Sequence, residues 1–214
     1  MTQKPLRAGV TRREFIAAAA AVPLLATACT RRPYDAGAFA LPARSAVGLF
    51  PAADYDADFA DIILRGFHEL RVDMRGRHVF LKPNMVEYEI ATAINTHPHV
   101  VAGTAIACRR AGAASVTVGE GPGHRRDIEY LLSNTGLNDQ LREERIAFVD
   151  LNHDDVEIVP LRSSFTGASE LVLPVSLLRA DLVVSMPKLK THHWAGMTCS
   201  MKNLFGTVPG AVYG

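Results

Sequence analysis

The sequence predicts an α/β fold: a mostly parallel sheet with helical crossovers. Two observations carry the prediction. From residue 45 to residue 186, short apolar runs of strand length alternate with stretches of helical periodicity. Polar motifs stand directly behind several of the apolar runs, which is where an open parallel sheet places its ligand-binding loops.

Residues 45–50 (SAVGLF) read as a first strand. From 58 to 70, Phe59, Ile62, Ile63, Phe67 and Leu70 recur at helical spacing. Gly76 breaks the chain, and 78–81 (HVFL) form a second strand, stopped by Pro83, which has no N–H to give a ladder. Thr96 is suited to cap a helix that carries Pro98 in its first turn and runs to about Arg110. Residues 115–118 (SVTV) form a third strand, followed by the tight loop GEGPG at 119–123. Asp127 opens a helix ending near Gly136, a short helix covers 138–145, and 146–151 form a fourth strand. Residues 156–161 and 170–173 are weaker strands suited to a hairpin, and 176–179 make a helical turn. Residues 181–186 (DLVVSM) are the last buried strand, and the layering expected of the whole is Rossmann-like.

The front of the chain reads as an address. Thr11-Arg12-Arg13-Glu14-Phe15-Ile16 is a twin-arginine pattern, an alanine-rich apolar run extends to Leu25, and Ala26-Thr27-Ala28 offers the small residues a signal peptidase needs. The run is too short to span a bilayer. Cys29 follows at the position of a lipoprotein's modified cysteine, although Leu25 lies one place farther from it than the usual leucine, so lipidation and simple cleavage both stay open. The organisation expected is a signal peptide over 1–28, a linker or lipid tether over 29–43 and a domain over 44–214. The expected location is periplasmic or extracytoplasmic, and the first partner is the twin-arginine export machinery.

Residues 1–28 hold four basic residues and one acidic residue, so their removal takes the formal charge from +1 to −2. A nucleic-acid binder would show a basic surplus instead. Besides Cys29 there are only Cys108 and Cys199, with no CxxC, so the chain has no cluster motif of ferredoxin type. Those two cysteines could pair in an oxidising compartment, or Cys108 could be a small buried residue on a helix.

If the strands are parallel, Lys82-Pro83-Asn84, Gly119-Glu120-Gly121 and Pro187-Lys188-Leu189-Lys190 meet at one edge. Each has a plain structural reading, as a solvated strand end or a tight turn. Glu120 could be a general acid or base, a metal ligand, or a charge at a helix N-terminus. The glycine-rich loop matches neither nucleotide-binding pattern, yet its backbone N–H groups could face an anion. His97 and His99 flank Pro98 and fit a helix cap as well as a ligand pair, and His124 reads as a surface residue.

The segment 186–206, MPKLKTHHWAGMTCSMKNLFG, is harder to explain by packing. Lys188, Lys190 and Lys202 lie among Met186, Leu189, Trp194, Met197, Leu204 and Phe205. Cations clustered in apolar surroundings are costly unless an anion or carboxylates compensate. The anion-binding candidates are therefore Lys82, Asn84, Lys188, Lys190 and Asn203. The catalytic candidates are Glu120, His192 and Lys202, and His192 or His193 could bind a metal through a neutral imidazole.

LKPN at 81–84, THP at 96–98, VGEGPG at 118–123, DLVVSMPKLKTH at 181–192 and MKNLFGTVPG at 201–210 resemble the family called domain of unknown function 362. The resemblance covers about residues 45 to 214, in the family's order. It implies no established reaction. Some members are joined to ferredoxin-type iron–sulfur segments, a feature without counterpart in this chain, so an iron–sulfur partner protein is one expectation. Members usually continue well past KNLFG, so a stop after Tyr213-Gly214 implies a sheet incomplete at its C-terminal end. His192-x-x-Ala195-Gly196 with Lys202 and Pro209-Gly210 is also similar to a segment of nickel-pincer lactate racemase-type enzymes. That similarity would make Lys202 the cofactor-bearing lysine and His192 a proton carrier.

Three functions compete on this reading: a metal- or cofactor-dependent enzyme acting on a small anion, a module that binds an anion without turnover, and a redox partner of an iron–sulfur protein.

Overall fold

The computed structural model describes residues 43–123, 126–161 and 167–213. Arg12, Arg13, Cys29 and His124 lie outside the described residues. The chain divides into two units, one of residues 42–160 and 170–214 and one of residues 1–41 and 161–169. The first holds every helix and strand described below.

That unit is a mixed α/β structure with Rossmann-like layering around four parallel strands. These are β1 (His78–Pro83), β2 (Ser115–Glu120), β3 (Ala147–Asp150) and β6 (Leu182–Met186), in the order β3-β2-β1-β6. Register is fixed by pairs such as Leu81 with Val118, Leu81 with Val184, and Val118 with Phe148. Between β3 and β6 in sequence, β4 (Val156–Pro160) and β5 (Glu170–Pro174) form the expected antiparallel hairpin.

The core lies on one sheet face. Val79 and Leu81 of β1 and Val116 and Val118 of β2 pack with Val101, Ala105 and Cys108 of helix α2 (Pro98–Arg110). Alternation puts every second strand residue on that face. Helix α1 (Phe59–Glu69) is capped by Asp58, whose carboxylate accepts from the Asp61 N–H at 3.0 Å, and it packs on α2. The approach is close because Gly103 has no side chain: a Cβ there would stand 2.6 Å from Cβ of Phe59. Helices α3 (Ile128–Asn134) and α4 (Leu137–Glu143) bridge β2 to β3, with Ile128, Leu131, Leu137 and Leu141 in the same core. A single turn, α5 (Val175–Leu178), precedes β6.

Two elements differ from expectation. Residues 45–50 form no strand, and Val47 and Leu49 are exposed. An apolar run of that length is a strand only when a neighbour pairs with it, and among the described residues no strand pairs with residues 45–50. Thr96 does not cap α2; the His97 ring does, its Nδ1 accepting the His99 N–H at 3.2 Å. Cys108 is buried on α2, and Cys108 and Cys199 are both free thiols. Among the described residues no helix is long and apolar enough to cross a membrane.

Candidate functional site

The strand order places one edge of the sheet apart from the rest. From β1 the chain proceeds through β2 to β3 on one side, whereas β6 returns to the other side of β1. The order therefore reverses between β1 and β6, and ligands of open α/β sheets bind outside the carboxyl ends of the strands at such a switch. Pro83 and Met186, the last residues of the two strands, are register partners. The segments Lys82-Pro83-Asn84 and Pro187-Lys188-Leu189-Lys190 leave the sheet side by side, and Glu120 ends the neighbouring β2.

Under this edge, Lys82 and Glu120 are ion-paired with side chains 1% and 2% exposed. Lys82 Nζ also donates to the Pro83 carbonyl at 2.8 Å. Glu120 accepts the Met85 N–H at 2.8 Å on Oε2 and the Gly121 N–H at 2.9 Å on Oε1. Burial pulls the Lys82 ammonium below its usual range and pushes the Glu120 carboxyl above its own, each opposed by the partner's charge. The pair is a sealed floor: neither head group reaches solvent. One N–H of the glycine-rich loop is spent on Glu120 and does not face outward.

The segment after β6 folds over that floor. It comprises β7 (Lys190–His192) and β8 (Gly196–Thr198), an antiparallel pair, then α6 (Ser200–Asn203), a 3-10 turn (Leu204–Thr207) and α7 (Gly210–Tyr213). Asn203 anchors it, its Nδ2 donating to the Lys82 carbonyl at 2.9 Å and to Ser185 Oγ at 3.1 Å. Both amide hydrogens are used, so the open atom of Asn203 is the acceptor Oδ1. Gly206 sits on the ion pair: a Cβ there would lie 2.6 Å from Glu120 Oε1 and 3.0 Å from Lys82 Nζ. Asn152 clamps the far end, donating to the Pro122 carbonyl at 2.9 Å and accepting the Gly210 N–H at 2.7 Å.

Thr96 ties the two strand exits together. Its Oγ1 accepts the Asn84 N–H at 2.9 Å and donates to the Met186 carbonyl at 2.6 Å. Lys190 crosses to the same loop and donates to the Ile94 carbonyl at 2.7 Å. It is half-buried, and its proton affinity is lowered first by desolvation and then by the charge of Lys202, with Glu87 and Glu120 opposing. Lys188 donates to the Tyr55 hydroxyl at 2.8 Å, and the Tyr55 ring stacks on His97 at 3.9 Å. Burial, then the neighbouring His99 and Lys188, hold His97 below the usual imidazole range. The Lys202 side chain has no hydrogen bond or ion pair among the described residues.

His192 Nδ1 accepts the Trp194 and Ala195 N–H groups at 3.1 and 3.2 Å. The neutral ring therefore carries its proton on Nε2. Desolvation, then Lys202, His193 and Lys190, hold it below the usual range. Its one lone pair is already engaged, so the ring is placed to donate through Nε2–H. Binding a metal at Nε2 would require the proton to move to Nδ1, against two N–H donors. His193 stacks on His192 at 4.8 Å. Among the described residues no group of three or more His, Cys, Asp or Glu side chains is arranged to hold a metal ion.

The surroundings of the lysines are less apolar than the sequence suggests. Met186 is buried, but Leu189, Trp194, Met197, Met201 and Phe205 are exposed. A two-strand ribbon and one-turn helices cannot bury all their faces, so much of this apolar set lies on the surface. Asn152, Thr198 and Tyr55 carry no site signal that stands out in the sequence. The nearest to one is at Asn152, which stands directly behind a strand as Asn84 does. Thr96 looks like a helix cap in the sequence, a local role, but its partners Asn84 and Met186 are distant along the chain.

A protein of Synechocystis sp. named "Thylakoid-associated protein sll1697" is 33% identical over 138 residues, 63% of this chain and 40% of that protein. The chain thus spans about two fifths of the length of the curated relative it matches. No solved structure matches the chain. The model of the family described as "Domain of unknown function (DUF362)" matches residues 79–213, the stretch holding the sheet, the ion pair and the segment that covers it, and the chain belongs to that family.

Proposed function

We propose that this chain binds a small anion, a carboxylate or a phosphate, at the carboxyl edge between β1 and β6, and that it does so in an exported protein. One observation carries the reading. Lys190 is half-buried, leans on a neutral carbonyl and is disfavoured as a cation by desolvation and then by Lys202, while the carboxylates that favour it, Glu87 and Glu120, are already paired with Arg126 and Lys82. Cations outnumber free carboxylates at a strand-order switch, and a bound anion offsets their desolvation and repulsion. Lys190 and Lys202 supply the charge, with Lys188 beside them on Tyr55. Asn84 lines the edge, and Asn203 contributes an acceptor. Lys82 and Glu120 act from beneath, fixing the exits of β1 and β2. Export rests on Arg12 and Arg13, with Cys29 as the site of any lipid.

A second reading, turnover of the bound anion, draws support from His192. Its Nε2–H, beside Lys202 and Lys190, is suited to stabilise negative charge developing on a ligand oxygen.

Calorimetric titration with phosphate and with succinate tests the binding reading. Binding to the unaltered chain should weaken about ten-fold in Lys190→Ala or Lys202→Ala, the loss of one charge-assisted contact. Equal binding by all three proteins would leave residues 186–206 a structural loop.

A further inference from the structure

Among the described residues, three side-chain atoms are buried with no hydrogen-bond partner: Asn84 Oδ1, Thr198 Oγ1 and Asn203 Oδ1. Their residues are 7%, 2% and 2% exposed. Buried polar groups are nearly always paired, because an unpaired one forfeits its hydration with no return. All three belong to the same edge. Asn203 holds the Lys82 carbonyl, two residues before Asn84. Thr198 is the register partner of Lys190 across β7 and β8, so their side chains share one face of the ribbon. Lys190 in turn reaches Ile94, two residues before the Thr96 that holds Asn84.

The chemistry of these atoms constrains what they await. The two carboxamide oxygens only accept, and Thr198 Oγ1 can accept or donate. A bare metal cation would satisfy them, but Lys190 and Lys202 repel it. A plain anion would suit the lysines and leave the oxygens unpaired. A ligand that meets both needs carries negative charge and its own O–H donors.

We infer that the ligand is a small hydroxylated anion, a hydroxy-carboxylate or a phosphate ester of a polyol. Its charged group faces Lys190 and Lys202, and its hydroxyl groups donate to Asn84 Oδ1 and Asn203 Oδ1. The inference rests on the anion reading above and adds the hydroxyl requirement to it.

The test is calorimetric titration of the full chain with matched pairs, tartrate against succinate and glycerol 1-phosphate against propyl phosphate. The hydroxylated member of at least one pair should bind about ten-fold tighter or more, as expected where buried acceptors are built to receive a ligand hydroxyl. Preference within the first pair identifies a hydroxy-carboxylate, and within the second a polyol phosphate. In Asn84→Ala the affinity ratio within that pair should fall toward one. The Asn84 side chain makes no hydrogen bond to the described residues, so its removal breaks none of the fold's own bonds. Both members of each pair binding equally to the unaltered chain would overturn the hydroxyl requirement while leaving anion binding in place. Binding of none of the four would overturn the anion reading itself, and this inference with it.

Discussion

Lys82 of β1 and Glu120 of β2 are paired out of reach of water, with Gly206 lying on both head groups. The pair joins the exits of two central strands to the segment that closes over them. Removing one partner leaves an uncompensated buried charge, so Lys82→Met or Glu120→Gln should each destabilise the fold by about 3–5 kcal/mol. The double replacement should cost clearly less than the sum of the two. Denaturant unfolding of the three variants measures this, and additive costs would mean that the two groups do not depend on each other.

Gly206→Ala tests the contact from above. The new methyl would meet two head groups that are pinned by other bonds, so a loss of roughly 1–3 kcal/mol is expected. Gly123→Ala is the control, because a Cβ there meets nothing within 4 Å. Equal unfolding midpoints for the two variants would place Gly206 away from the pair.

The His192 ring should titrate below its ordinary value, held down by desolvation and then by Lys202. Its folded pKa lies below the unfolded one, so its contribution to stability is present above about pH 6.5 and is lost as pH falls toward the folded pKa. Lys202→Gln should move the ring's NMR titration upward. A midpoint that does not move would separate the two side chains.

The export reading makes its own prediction. Arg12→Lys with Arg13→Lys should stop passage across the membrane, because lysine lacks the planar fork of the guanidinium. Cell fractionation of the double variant reads this directly, and normal export would rule the route out.

The fold was legible because its signals are local. Apolar runs at 78–81, 115–118 and 181–186 needed only a neighbour to become strands, and Asp58 and Asp127 capped the helices they precede. Residues 45–50 show the limit, since a short, mainly apolar run does not state whether another strand will pair with it. In the site, placing the motifs at one edge followed from topology alone. Which of them face outward did not. Lys82 and Glu120 look as available as Lys190 in the sequence, yet they neutralise each other beneath the surface. Such pairing depends on register between β1 and β2, where Lys82 stands one residue beyond the Leu81–Val118 pair. The unpaired oxygen of Asn203 is likewise visible only once both hydrogens of its amide have been assigned.

The most direct test of anion binding at the β1–β6 edge is the stability of Lys190→Met with and without anion. In anion-free buffer the variant should match the unaltered chain within about 0.5 kcal/mol, or exceed it, since a half-buried cation is removed and the aliphatic stem is kept. Added phosphate or succinate should raise the unfolding midpoint of the unaltered chain by mass action, and the rise should be largely lost in the variant. Equal stabilisation of both proteins by the anion would contradict a site built on Lys190.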